Sequence, residues 1–355
     1  WFHAHWQPAG DDPYLVQIIV ELAGALDEAR LQTALDTLLQ RHAGLRISFA
    51  LDDSGNPLQV VHQGLRMPWR VIDFSAMSAT QGVRLAEQVE TLDRSERFEL
   101  EQAPLIRCLL VRLPERRYRL VITQHHLLGD GWSSAIFFRD LFALYRDPAT
   151  DKVLGSTLAP YFAWLATQDT ATAMSAWRHY LAQFSTPTLV APGASHAQLP
   201  AQYHLDHPVP EALRQALERH GRAQGLTLAT LMQTAWGLLL SRLLGREDVC
   251  FGVVSSGRQA PVAGIEEMLG LLITTSPVRL RCAAGRALDA LARELQGEQA
   301  ALSPHQYVPL TDLQRSLGVP ALFDTLFTFE NYPVQHNPDG SDLDDLPLVA
   351  IHGHN

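Results

Sequence analysis

His125 and His126 stand side by side and are followed at short spacing by Gly129, Asp130 and Gly131. An imidazole changes charge near neutral pH, so a histidine facing a cleft is a candidate general base, or a group that positions an attacking nucleophile. The glycines supply backbone freedom around Asp130, which lets its carboxylate curl back under the turn, and a carboxylate held there needs a cation. A metal site is a weaker reading: two ligands four residues apart need a continuous helix, and the glycines at 129 and 131 argue against one.

The elements around these residues follow from hydrophobic spacing. Leu105 to Leu113 and Tyr118 to Thr123 are rich in β-branched and apolar residues and flank Pro114-Glu115-Arg116-Arg117, which predicts a hairpin. Phe137, Leu141 and Leu144 then recur at helical spacing, with Ser133 or Ser134 as the expected cap. The histidines therefore leave the end of a strand and the glycines turn the chain. Because side chains alternate faces along a strand, His125 and His126 are expected on opposite sides, one chemical and the other packed.

The 355 residues are comfortable for two domains, and 46% apolar with 19% charged residues is ordinary for a globular protein. A net charge of −10 without a block of like charges argues against a nucleic-acid partner or an anionic membrane surface. Cys108, Cys250 and Cys282 lie far apart with no CxxC pairing, which predicts neither a zinc site nor a disulfide framework and fits a reducing cytoplasm. The apolar run Leu226 to Leu244 is interrupted by Gln233, Ser241 and Arg242 and reads as a buried helix, not a membrane span. The chain begins at Trp1 and stops at Asn355 in mid-pattern, as expected of a piece of a longer polypeptide.

Further elements are expected in order. They are a strand at Val16 to Leu22, a helix capped by Asp27 with Leu31, Leu35, Leu38 and Leu39 on its apolar face, short strands at 58–61 and 69–73, and a polar helix over 78–97. Thr186-Pro187, Ala191-Pro192-Gly193 and Pro200 cluster without periodicity, which puts the best boundary after residue 184. Residues 1–184 and 185–355 are the two expected domains, both of mixed helix and strand (α/β or α+β). The polar stretch Gln335 to Asp345 reads as a long loop.

His125-His126-Leu127-Leu128-Gly129-Asp130-Gly131 resembles HHxxxDG, the signature of condensation domains of nonribosomal peptide synthetases, whose HxxxDG core is shared with chloramphenicol acetyltransferase. Other stretches are similar to blocks of the same family in the same order. Arg41-His42-Ala43-Gly44-Leu45-Arg46-Ile47-Ser48-Phe49 resembles RHxxLRxxF, and Phe98 to Leu105 resembles the lead-in to the central hairpin. Ser256-Gly257-Arg258 resembles SGR, and Gly264 to Arg279 resembles IGxFxNTxPxR. His305 to Leu313 resembles HQxxPxxxL, and Leu322 to Asn331 resembles LFxxxFxxEN. Two departures stand out: Thr274 in place of the usual Asn, which keeps a hydrogen-bonding oxygen and loses the amide donor, and Leu272 in place of Phe.

The resemblance implies two chloramphenicol acetyltransferase-like lobes in a V with the active site at their interface, the second lobe truncated before its final strands and helix. It implies amide-bond formation between a donor acyl or peptidyl thioester and an acceptor aminoacyl thioester. Each would ride on a phosphopantetheine arm supplied by upstream and downstream carrier domains, next to an adenylation domain, with no cofactor bound by the domain itself. No GxxxxGK[ST], GxGxxG or GxSxG pattern points to a nucleotide or a serine nucleophile instead.

By the same resemblance His126 is the central catalytic group, His125, Asp130 and Gly131 complete the motif, and Arg46 is the cation paired with Asp130. Trp132, Ser133, Thr274, Ser276, Glu330 and Asn331 are the candidates to line the substrate channel. An epimerization domain would continue DGxSWR, whereas Trp132-Ser133 is the condensation-type continuation. A silent recruitment module would be expected to carry a damaged motif, and a free acetyltransferase using coenzyme A would lack the additional blocks.

Overall fold

The computed structural model describes residues 12–150, 155–193, 205–330 and 348–354. In chain order its elements are β1 (Leu15–Ala23), α1 (Glu28–Arg41), β2 (Ile47–Leu51), β3 (Pro57–Val61), β4 (Trp69–Asp73), α2 (Ala79–Ser95), β5 (Ile106–Leu113), β6 (Arg117–His125), α3 (Gly131–Arg146), α4 (Ala159–Ala166) and α5 (Thr170–Tyr180). There follow α6 (Glu211–Gln224), α7 (Leu228–Leu244), β7 (Asp248–Ser255), β8 (Thr274–Arg281), α8 (Leu288–Leu302), α9 (Leu310–Leu317), β9 (Leu326–Thr328) and β10 (Leu348–His354). The loop expected over 335–345 lies outside the described residues.

The chain groups into two compact units. The first comprises Trp1–Ala163, Val262–Leu272 and Tyr332–Asn355, and the second Trp164–Pro261 and Ile273–Asn331. The boundary expected after residue 184 therefore falls inside the second unit, and the first unit draws on two later stretches of chain.

The first unit is built on a five-stranded sheet in the order β10-β1-β6-β5-β4, antiparallel except for the parallel pair β4 and β5. The predicted hairpin is β5 and β6, paired from Ile106 opposite Gln124 to Leu113 opposite Arg117. Its turn puts Glu115 and Arg116 at φ 61° and 55°. On β6 the side chains from Leu120 to His125 are all buried. Asp27 caps α1 by accepting the Arg30 N–H, and the helix buries Leu31, Leu35, Leu38 and Leu39, as its spacing predicted. With Phe137, Leu141 and Leu144 of α3 and Leu105, Ile106, Leu110, Leu120 and Ile122 of the hairpin they form one core. The motif thus sits at the junction of a buried strand and a helix that packs on the same core.

Leu269 joins that core, and the backbone approaches closely there: a Cβ added at Gly44 would lie 2.3 Å from the Leu269 carbonyl oxygen. Since the obstacle is backbone, Gly44→Ala should cost at least about 1–3 kcal/mol by overpacking, measured as a lower denaturation midpoint. A midpoint equal to wild type would contradict this packing.

The second unit carries the three-stranded sheet β8-β7-β9, with β7 antiparallel to β8 and parallel to β9. Val249, Phe251 and Val253 of β7, Val278 and Leu280 of β8, Leu240 of α7 and Leu291 and Leu295 of α8 form its core. A second cluster surrounds Trp177, with Tyr180, Leu313 and Leu322. The apolar run after Leu226 is α7, and among the described residues no helix is long and apolar enough to cross a membrane.

Candidate active site

Strand β6 ends at His125, and His126 starts a single 3-10 turn over His126–Leu128. The two histidines are therefore separated by the end of the ladder, and the strand alternation expected of them does not apply. His125 still pairs in register with Leu15 of β1 and is fully buried. Its Nδ1 accepts the Leu127 N–H at 3.1 Å, its ring lies 5.9 Å from that of Tyr14, and its buried Nε2 has no hydrogen-bond partner among the described residues, the Asp12 carboxylate standing 3.8 Å away. His126 is anchored by its backbone N–H to the Tyr14 carbonyl at 2.7 Å, while its imidazole is partly exposed and makes no hydrogen bond within the described residues.

Burial disfavours the charged imidazole of His125 more than the Asp12 carboxylate favours it, which holds its pKa down at about 4 against an ordinary 6.5. Below pH 6.5 the unfolded chain takes up a proton here that the folded chain refuses until about pH 4. Stability therefore falls as pH is lowered through that window, by up to roughly 3 kcal/mol. Denaturant unfolding between pH 7 and 4.5 should show this loss, and His125→Asn should flatten that part of the profile. Parallel profiles for the two proteins would contradict it.

Asp130 is the N-cap of α3, the role expected of Ser133 or Ser134. Its Oδ1 accepts the Ser133 N–H and lies 2.9 Å from the Ser133 hydroxyl, and its Oδ2 accepts the Leu272 N–H at 3.1 Å. Ser133 Oγ also accepts the Gly270 N–H at 3.1 Å and lies 2.8 Å from the Gly270 carbonyl, so its one proton serves two acceptors. The Val262–Leu272 stretch is further fastened to α3 where the Trp132 indole N–H donates to the Glu266 carbonyl at 2.9 Å and Arg139 pairs with Glu267 at 2.6 Å. The turn is thus braced by a helix cap and by main-chain donors of the later segment.

The expected Arg46–Asp130 pair is not formed. The Arg46 guanidinium donates to the carbonyls of Leu39 and His62, which ties the end of α1 to the chain after β3, and none of the ion pairs among the described residues joins it to Asp130. Physically, Arg46 closes a 3-10 turn, Ala43–Arg46, whose neighbouring carbonyls take up its donors. Gly129 also departs from expectation: its φ of −178° is extended backbone open to any residue. What requires glycine is space, since a Cβ there would lie 2.8 Å from that of Ser133. Gly131 opens α3.

Of the other candidates, Ser133 is 2% exposed and holds the turn, and Trp132 is partly buried. Thr274, Ser276 and Glu330 belong to the second unit. Thr274 begins β8 with its Oγ1 buried and without a hydrogen-bond partner among the described residues, Ser276 is buried opposite Val253 of β7, and Glu330 is exposed. Asn331 lies outside the described residues. The departure at Leu272 leaves the site's geometry intact, because its backbone N–H binds Asp130 and its side chain is buried. Sequence reasoning missed that donor, since a main-chain N–H leaves no mark on residue type.

A model of the family described as "Condensation domain" matches residues 1–349. The chain belongs to the condensation domain family. It is 36% identical over 334 residues to chondramide synthase from Chondromyces crocatus, covering 92% of this chain and 8% of that one. It is 32% identical over 329 residues to tyrocidine synthase 2 from Brevibacillus parabrevis, covering 90% and 9%. The chain therefore spans a small fraction of these relatives. The solved structure of the first condensation domain of the calcium-dependent antibiotic synthetase, bound to a substrate analogue, matches with a TM-score of 0.73 at 20% identity, over 99% of this chain and 82% of that one. That likeness bears out the chloramphenicol acetyltransferase-like fold. By family the chain is an acyltransferase of nonribosomal peptide synthesis that forms amide bonds between carrier-bound substrates.

Proposed function

We propose that this condensation domain joins a donor acyl or peptidyl thioester to the amine of an acceptor aminoacyl thioester, with His126 as the central group. The observation that supports this most is the contrast within the motif: His125 is sealed, while the adjacent His126 imidazole is partly exposed and makes no hydrogen bond among the described residues, on a braced turn. In this reading the amine of the acceptor attacks the donor's thioester carbonyl, the thiol leaves, and the amine loses a proton. His126 takes that proton, or orients the amine and stabilises the charge that develops as the bond forms. Two tethered ends brought together become in effect a unimolecular pair, worth up to roughly 7–11 kcal/mol of the barrier.

The arms would be phosphopantetheine on upstream and downstream carrier domains, with an adenylation domain as neighbour. The relatives support this, being synthetases many times the length matched. Thr274, Ser276, Glu330 and Asn331 are the second unit's candidates to line the channel. A cytoplasmic setting suits three unpaired cysteines, two of them buried. The test is the purified domain with loaded donor and acceptor carriers, in which dipeptide should appear on the acceptor carrier. No dipeptide with carriers that are competent with another condensation domain would favour a recruitment module instead.

A further inference from the structure

Away from the motif, a second histidine is buried in a continuous chain of polar contacts within the first unit. His42, at the end of α1, is fully buried. Its Nε2 lies 3.0 Å from Asp140 Oδ2 on α3, and its Nδ1 lies 2.8 Å from Ser156 Oγ. The Ser156 hydroxyl in turn accepts the Leu269 N–H at 3.2 Å, and the Ser156 carbonyl accepts the Ala43 N–H at 3.0 Å. Asp140 is held on its other oxygen by Arg139, which also reaches Glu267.

The roles in this chain follow from its ends. A carboxylate accepts, so Nε2 carries the proton toward Asp140, and Nδ1 is left to accept the Ser156 hydroxyl proton. Ser156 Oγ then has a lone pair for the Leu269 N–H, and every donor meets an acceptor. The residue types are those of a hydrolytic triad, but here the serine oxygen is committed to a main-chain N–H and the imidazole is sealed. Leu269 is followed by Gly270, which grips Ser133, and by Leu272, whose N–H lies on Asp130.

We propose that His42 is a positioning residue: through Ser156 and Leu269 it sets the placement of residues 269–272 on α3, and through the Leu272 N–H the orientation of the Asp130 carboxylate beneath the HHxxxDG turn. The proposal rests on the amide-forming reading above for its kinetic consequence, and on the geometry alone for its structural one.

The mild variant is Ser156→Ala, which cuts the link to Leu269 and leaves His42 and Asp140 in place; His42→Ala is the stronger one. In the full chain, Ser156→Ala should raise amide hydrogen exchange in 269–272 about tenfold. It should lower the kcat of dipeptide formation about tenfold with KM for both carriers unchanged, and Ser156→Thr, which restores a hydroxyl, should recover most of the rate. Unchanged exchange together with wild-type kcat in folded Ser156→Ala and His42→Ala would overturn the proposal, as would labelling of Ser156 by a fluorophosphonate. If the wild-type chain makes no dipeptide, the amide-forming reading falls, and the exchange measurement still decides whether His42 and Ser156 hold residues 269–272 in place.

Discussion

His126→Ala should lower dipeptide formation between loaded carriers by a factor of about 10²–10⁴, the range a positioned proton-transfer group supplies. The fold should survive. The imidazole is partly exposed and unbonded within the described residues, so its loss strands no buried donor or acceptor. Its backbone N–H to Tyr14 is kept by any residue. Stability should therefore change by no more than about 0.5 kcal/mol, as for surface substitutions away from special features. Mass spectrometry of the acceptor carrier reads the rate and chemical denaturation reads the fold. A variant that is folded and condenses at more than a tenth of the wild-type rate would remove His126 from the centre of the mechanism.

Asp130→Ala should behave in the opposite way, losing structure first and activity as a result. Removing the carboxylate takes the cap from α3, about 1 kcal/mol, and leaves the buried Leu272 N–H without its acceptor, roughly 1–3 kcal/mol more. The expected sum is about 2–4 kcal/mol, with faster amide exchange in the first turn of α3 and around Leu272. Asp130→Asn separates the two parts. Its amide oxygen can still accept from the Ser133 N–H, but its amide nitrogen then faces the Leu272 N–H, donor against donor, so the cap returns and the second bond does not. A stable, inactive Asp130→Ala with wild-type exchange would make the aspartate a participant in the chemistry instead of a brace.

What could be read from the sequence was what side-chain type and period encode. Apolar spacing gave the core faces of α1 and α3, and the β-branched runs around Pro114 gave the hairpin to within two residues. The HHxxxDG pattern marked the candidate site. The cap of α3 was displaced by three residues because Asp130 and Ser133 are both good capping types, and only geometry shows which of them accepts and which donates. The family resemblance pairs Arg46 with Asp130. Its donors went instead to the Leu39 and His62 carbonyls, which no charge count reveals. His42 lies within the RHxxLRxxF-like stretch, but its partners Asp140 and Ser156 are 98 and 114 residues away and sit in no pattern of their own. The same holds for the membership of Val262–Leu272 in the first unit, since nothing in a local window reports long-range packing.

That membership, with the pairing of β10 on β1, bears on how the polypeptide can be made. A fragment ending at residue 184 would leave β1 an open edge along Gln17 to Leu22, where main-chain donors and acceptors now meet 348–354, and unpaired edges invite strands from other molecules. It would also lack Leu272, so the carboxylate under the HHxxxDG turn would have lost one of its main-chain donors. On the ribosome the amino-terminal unit stays unfinished until almost the whole of this sequence has emerged, and the second unit has every residue it needs first.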